Sequence, residues 1–371
     1  MHKFDRFYST LHERGGEGSG SGHWDFRRWG AEGLEGAAAQ QTLQEYLHAS
    51  IRTVHVGDEA ALRAAVDAEA ARDLGDPTKS PLWSVLRFVN DGAAAEPGGG
   101  FHVLLMRVHH VLGDGVALLS SLSACFEVAD TKQPLRLEIA RKMSGGRDPT
   151  QQTARPGLLP LARSLIAVLG LAATPYDHVT ALAPADKASL QFTGPRRTCV
   201  MPSVRLAFVK ALKNAAGATV NDVLVAAYAG TARRYGMLKH PDDFAAGTAM
   251  SHRLLLPVAL PRGVENPAWA MRNKWAFASL QAPVGEATPL ARLAAVRAHV
   301  AALKASPVVA VQYWVQSVLL PLLPTWLGQK TAYDIFSRHS TVFSNLPGPE
   351  ECVAVAGCGE PLLGLQVTFP N

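Results

Sequence analysis

The strongest constraint on the fold lies between Phe101 and Leu122. Phe101-His102-Val103-Leu104-Leu105-Met106-Arg107-Val108 is apolar and β-prone, the profile of a largely buried strand. It runs directly into His109-His110-Val111-Leu112-Gly113-Asp114-Gly115, and Val116 to Leu122 then begins a helix-like apolar run. A strand, a tight glycine-containing turn and a helix follow one another without a spacer, which suits an α/β fold. Two imidazoles and one carboxylate are thereby gathered within a single turn.

Imidazole is the side chain whose pKa lies nearest working pH. A histidine held in one tautomer and one orientation at a strand–turn junction is therefore where a general base is expected. Gly113 and Gly115 allow backbone angles and close approach that larger residues disfavour. Asp114 has three open readings: orienting the His110 imidazole, capping the following helix, or pairing with a distant arginine. The structural readings are preferred. A core histidine is the plain reading of either ring, and zinc is the sharper rival, since two histidines and an aspartate can hold it. Adjacent strand residues point to opposite faces, however, so His109 and His110 do not easily share one ion. No HExxH is present, and Cys125, Cys199, Cys352 and Cys358 form no CxxC pair, so no metal site is expected.

Three further motifs stand in order around this one. Pro81-Leu82-Trp83 precedes it, Asn221-Asp222 opens an apolar helical stretch, and Ser344-Asn345-Leu346-Pro347-Gly348-Pro349 follows near the end. With HHxxxDG they form a set that resembles the wax ester synthase/diacylglycerol acyltransferases. That family is a branch of the CoA-dependent acyltransferases, alongside chloramphenicol acetyltransferase and peptide-synthetase condensation domains. "LLLPVALPRG" and "MRNKWAFASLQAP" look like strand segments between the last two motifs. Plant BAHD acyltransferases share HxxxDG but also carry DFGWG, which is absent here.

The resemblance implies an α/β fold of two chloramphenicol acetyltransferase-like lobes, each of mixed sheet plus helices, with an active-site tunnel between them. It implies an O-acyltransferase that moves a long-chain acyl group from acyl-CoA to a fatty alcohol or diacylglycerol. His110 would be the general base, with His109 and Asp114 completing the catalytic turn. His109 would support the turn or line the tunnel. Gly115, Pro81, Leu82, Trp83, Asn345, Pro347, Gly348 and Pro349 would border the substrates, Gly115 by allowing close approach. For Trp83 a plain core role is equally open, and for Asn345 to Pro349 an ordinary Pro-Gly turn. Asn221 and Asp222 would hold structure, as an Asn or Asp N-cap before a helix does. Acyl-CoA is a substrate, and no metal or bound cofactor is implied. A condensation-type transfer to another acceptor, or a catalytically silent lipid-binding relative, are the alternatives.

Breaks in composition divide the chain into an N-terminal lobe (1–130), a linker with an apolar helix (131–190) and a C-terminal lobe (191–371). Gly-rich loops are expected at 15–22 and 91–100, and a strand followed by an alanine-rich amphipathic helix over 52–73. Compared with the family, both lobes are expected to be short at the chain ends. A hydrophobic fraction of 48%, a charged fraction of 18% and a net charge of +5 describe a folded, somewhat greasy protein suited to anionic partners. CoA phosphates and an anionic membrane surface fit; nucleic acid does not, as no RNP, zinc-finger or aromatic-interleaved basic stretch occurs. Widely spaced cysteines fit a reducing compartment, and "MHKFDRFYSTLHERGG" lacks the apolar core of a signal peptide. Leu158–Ala173 and Ala305–Gln329 are apolar, the second without a charge. A bilayer span takes ~20 apolar residues, but Pro307, Pro321 and Pro324 favour a helix pair packed on the C-terminal lobe with part of its apolar surface in the membrane interface, a plain core helix being equally open. The expected place is the cytoplasmic face of a membrane, the endoplasmic reticulum or a lipid-droplet surface in a eukaryote.

Overall fold

The computed structural model describes residues 5–14, 24–28, 37–90, 102–135, 198–244, 250, 252–260, 271, 273–306, 308–358 and 360–367. The expected glycine loops at 15–22 and 91–100, most of the linker and the apolar run Leu158–Ala173 lie outside these residues.

A 3-10 turn, Asp5–Tyr8, leads into β1 (Ser9–Glu13), which pairs antiparallel with β2 (Trp24–Arg28). Then come α1 (Ala37–Ser50), β3 (Ile51–His55) and α2 (Glu59–Ala71). The Asp58 side chain accepts the Ala61 N–H at 2.7 Å and so fixes where α2 begins. β4 (Trp83–Val89) pairs in parallel with β3 and antiparallel with β5 (His102–Val108), giving a three-stranded mixed sheet. α3 (Gly115–Leu122) and β6 (Phe126–Val128) follow. The strand and helix expected over 52–73 and the strand–turn–helix around the histidines are all present.

The second half repeats the plan. α4 (Leu206–Ala215) and α5 (Val220–Lys239) precede β7 (Arg253–Ala259) and β8 (Trp275–Gln281). α6 (Pro289–Ala305), α7 (Val308–Trp314), α8 (Thr325–Ser337), β9 (Thr341–Val342) and β10 (Val353–Val355) complete it. β7 lies between an antiparallel β8 and a parallel β9, again a three-stranded mixed sheet. β6 pairs with β10, so the last strand of the N-terminal lobe is completed from near the C-terminus. Two α/β lobes of mixed sheet plus helices are thus observed.

Period-2 alternation explains the C-terminal core. Ala276, Ala278 and Leu280 of β8 are buried, and Leu280 joins Val225, Ala229 and Ala232 of α5 and Val296 of α6 in one cluster. In the other lobe Trp83 and Tyr46 are almost wholly covered. The Trp83 indole N–H and the Tyr46 hydroxyl both donate to the Phe7 carbonyl, at 2.7 and 2.6 Å. The Phe7 and Tyr46 rings meet the indole edge-on. Burial, above all, pushes the Tyr46 phenol up to about 12.

The apolar run Ala305–Gln329 is broken. α7 continues as a π-helical stretch, Val315–Leu319, then a 3-10 turn, Leu320–Leu322, and Pro324 stands at the start of α8. Among the described residues no single helix is long and apolar enough to cross a membrane. α6 and Val308–Leu322 reach the length and composition together, with a 52° bend between them.

Trp83→Ala removes the ring on which Phe7 and Tyr46 pack. It is expected to lower the unfolding free energy by ~3–5 kcal/mol, read by urea denaturation. A loss under ~1 kcal/mol, the scale of an exposed position, would contradict this account of the core.

Candidate active site

β5 stops at Val108. The next residue, His109, donates its backbone N–H to the Leu82 carbonyl at 2.8 Å, so the Pro81–Trp83 segment fixes where the turn starts. The His109 backbone is extended, and its Nδ1 accepts the Val111 N–H at 3.2 Å, capping the short 3-10 turn His110–Leu112. With Nδ1 accepting, the neutral ring carries its proton on Nε2. Leu112 is fully buried and anchors the turn in the same cluster as Trp83. Neither histidine lies on the strand; both stand in the turn that ends it.

Gly113 is in extended backbone, φ 170°, so freedom of backbone angle is not why glycine stands there. A Cβ at this position would lie 2.8 Å from the Ala117 Cβ, and close approach is the reason. Asp114 uses both carboxylate oxygens. One oxygen, Oδ1, accepts the Ala117 N–H at 3.0 Å and caps α3. The other, Oδ2, accepts the Lys274 N–H at 2.8 Å from the C-terminal lobe. The residue is 5% exposed. Its carboxylate is therefore a helix cap and a clamp between lobes, while its charge still acts on His110.

The grip on His110 comes from residues that sequence reasoning missed. The Asn273 side-chain amide donates to the His110 carbonyl at 2.8 Å. Lys274 holds Asp114, and the Trp275 ring meets the His110 ring edge-on at 6.0 Å. The resemblance placed a strand in "MRNKWAFASLQAP", where β8 lies, but no local signal marked Asn273, whose partner lies in the other lobe. Other stitches run beside it. Arg6 donates to the Met271 carbonyl, and Met271 is buried in the N-terminal cluster.

Burial lowers the pKa of His110 below its ordinary 6.5, and the nearby Asp114 charge only partly opposes this. Burial lowers that of His109 as well. Both rings are thereby biased to the neutral form, the form that accepts a proton. Among the described residues no three His, Cys, Asp or Glu side chains converge as a metal-binding set.

The other expected site residues fall in distinct places. Leu82 and Trp83 are 1% exposed and lie in the N-terminal core cluster. A Cβ on Gly115 would lie 2.8 Å from Leu346, so the glycine makes room for the later motif. Asn345 donates its amide to the Asn221 side-chain oxygen at 2.6 Å, joining two motifs. Pro347 and Gly348 are exposed, and Pro349 is half-buried. Neither Asn221 nor Asp222 is the N-cap of α5. Thr219 caps it, and Asp222 closes a reciprocal capping box, accepting the Thr219 N–H at 2.8 Å.

Comparison with known proteins agrees with this architecture. Residues 271–370 match the WS/DGAT C-terminal domain. A Mycobacterium tuberculosis protein named as a diacylglycerol O-acyltransferase is 26% identical over 310 residues, covering 75% of this chain and 56% of its own. Arabidopsis thaliana wax ester synthase/diacylglycerol acyltransferase 5 is 25% identical over 312 residues, covering 76% and 61%. The solved wax ester synthase/diacylglycerol acyltransferase from Marinobacter aquaeolei VT8 shares the fold, with a TM-score of 0.53, 19% identity, and coverage of 96% of this chain and 72% of that one. The chain is thus similar to the wax ester synthase/diacylglycerol acyltransferases over three quarters of its length. It spans 56% and 61% of the length of the two curated relatives. The WS/DGAT C-terminal domain begins at Met271, so the grip on His110 through Asn273, Lys274 and Trp275 comes from its first residues.

Asp114→Asn keeps the side chain's shape but puts an NH₂ group against one of two backbone N–H donors. The expected loss is ~1–3 kcal/mol of stability, the cost of a buried donor left unsatisfied, read by urea denaturation. Unchanged stability would mean that the clamp between lobes contributes nothing.

Proposed function

We propose that the chain transfers a long-chain acyl group from acyl-CoA to the hydroxyl of a fatty alcohol or diacylglycerol. The observation that carries this reading is the His110 imidazole, biased toward its neutral form by burial and gripped from both lobes in a chain similar to this family. In the reaction the hydroxyl oxygen attacks the thioester carbonyl as the imidazole takes its proton. The tetrahedral oxyanion then collapses, the C–S bond breaks, and the proton passes to the departing CoA sulfur. The acyl group goes straight to the acceptor, and no metal or bound cofactor takes part.

The roles follow the geometry. His110 is the base. His109, with Nδ1 occupied by the Val111 N–H, holds the turn. Asp114 orients through the backbone and biases the charge on the ring. Asn345 to Pro349, partly exposed and pressed through Leu346 on Gly115, border the substrates. Leu82 and Trp83 act from beneath, through the Leu82 carbonyl that fixes His109.

The test is ester formation from palmitoyl-CoA with either hexadecanol or dioleoylglycerol, measured with free CoA. His110→Ala is expected to lose ~10²–10⁴-fold in rate, and excess EDTA to change nothing. Equal, background-level product from wild type and His110→Ala would favour a silent lipid-binding relative. The pH dependence has a fixed sign. Because the base must be neutral and burial pulls its pKa down, kcat/KM is expected to rise through a value below 6.5 and then stay flat to neutral pH. An acid limb above 6.5 would contradict the burial.

The same reading places the chain at the cytoplasmic face of a membrane or on a lipid droplet. Trp314, Leu322, Trp326 and Tyr333 are exposed large apolar side chains along α7 to α8, with Leu322 at 77% and Trp326 at 64%. Aromatic rings at such positions suit the water–lipid interface. The protein is expected to float with anionic liposomes, and Trp314→Ser/Trp326→Ser to reduce the floated fraction several-fold. Wild type left wholly in the lower fraction would exclude attachment.

A further inference from the structure

On β8, residues 275, 277 and 279 share one face. Trp275 meets His110, Phe277 packs edge-on with Trp275 at 4.3 Å and with Phe336 of α8 at 5.1 Å, and Ser279 is bonded to His339. The Ser279–His339 pair therefore stands roughly 13 Å along the strand from Trp275, apart from the His110 turn. It is half-buried and unused by the acyl transfer.

The hydrogen-bond directions around His339 follow from two of its neighbours. His339 Nδ1 lies 2.7 Å from the Ile335 carbonyl, which only accepts, so Nδ1 carries a proton. In the neutral ring Nε2 is then the acceptor, and the Ser279 hydroxyl, at 2.9 Å, donates to it. This is the polarity of a nucleophile beside its base, the base oriented by a third group. The third group here is a backbone carbonyl in the last turn of α8, one of the helix-end oxygens with no intrahelical N–H to pair with. A helix C-terminus favours positive charge nearby, so it stabilises the imidazolium that forms when the serine proton arrives. The adjacent Arg338 does not oppose this strongly, because it is held by both oxygens of Asp334. Phe277 and Phe336 supply apolar surface beside the pair.

We propose that Ser279 and His339 form a second, esterase-like site that accepts acyl groups from activated esters or thioesters. The Ser279 Oγ bonds to the acyl carbon as its proton goes to His339 Nε2. The C–O or C–S bond to the leaving group breaks, and the proton passes to that oxygen or sulfur. Water then attacks the acyl-serine, with its proton taken by His339 and returned to Ser279, and a free carboxylic acid leaves. The site does not depend on transfer at His110.

The test is labelling of the purified full-length chain with a fluorophosphonate, followed by mass spectrometry of the modified peptide. The expected adduct is on Ser279. It is absent in Ser279→Ala and forms ~10²-fold more slowly in His339→Ala. His110→Ala, which removes transfer, still acquires it. Hydrolysis of p-nitrophenyl butyrate is expected to fall with Ser279→Ala to the same degree as labelling. No adduct on Ser279 in wild type, or an equal rate in His339→Ala with unchanged thermal stability, would overturn the proposal and leave the pair a helix-end contact.

Discussion

Asp114 places both oxygens against backbone N–H groups, one in the first turn of α3 and one at Lys274 ahead of β8. A buried carboxylate without hydrogen bonds is very unfavourable. These two donors, with the positive end of α3, offset much of that penalty. They sit in different lobes, so the carboxylate is satisfied only when the lobes are docked. Docking and assembly of the histidine turn are therefore one event. His110 inherits its position from this clamp. Its carbonyl is held by Asn273, and its ring rests against Trp275, the two residues on either side of Lys274.

The two sheets divide the work that follows. The N-terminal sheet delivers the turn: β5 ends where the Leu82 carbonyl takes the His109 N–H, and Leu112 sinks into the cluster around Trp83. The C-terminal sheet supplies the opposing grip and, through β9, leads directly into Asn345 and Leu346. Each lobe alone would leave His110 half held. Desolvation of the ring also needs both, because the Trp275 face comes from one lobe and the turn from the other. The same docking that orients the His110 ring thus lowers its affinity for a proton.

The strand–turn–helix at the histidines was legible because its signals are local. An apolar strand, two glycines and an apolar helix follow one another with no gap, whereas β8 was expected only through the family resemblance. Helix α5 was legible as a helix, but its cap was misplaced. Thr219 and Asp222 stand three residues apart, the spacing of a capping box, and Asp222 thus serves as its N3 member rather than as the cap. The reason given for Gly113 was also displaced, since its backbone is ordinary and the Ala117 side chain above it is the constraint. Asn273 and the Ser279–His339 pair could not be read from the chain at all. Each depends on a partner brought close only by tertiary packing, and nothing in the intervening sequence encodes that approach.

The four motifs behind the family resemblance are joined by contacts. Leu82 of the first binds His109 of the second through the backbone. Gly115 at the end of the second lies under Leu346 of the fourth. Asn345, beside Leu346, binds Asn221 of the third. A change at any one is therefore transmitted to the next by direct packing or a hydrogen bond, with no long-range mechanism required. The path starts in the core under Trp83, passes His110, crosses between lobes and ends at the first turn of α5. Three of the four motifs act mainly on the position of the remaining one. That is why residues with little chemistry of their own, a leucine, a glycine and two asparagines, accompany the histidine wherever the pattern is met in this chain.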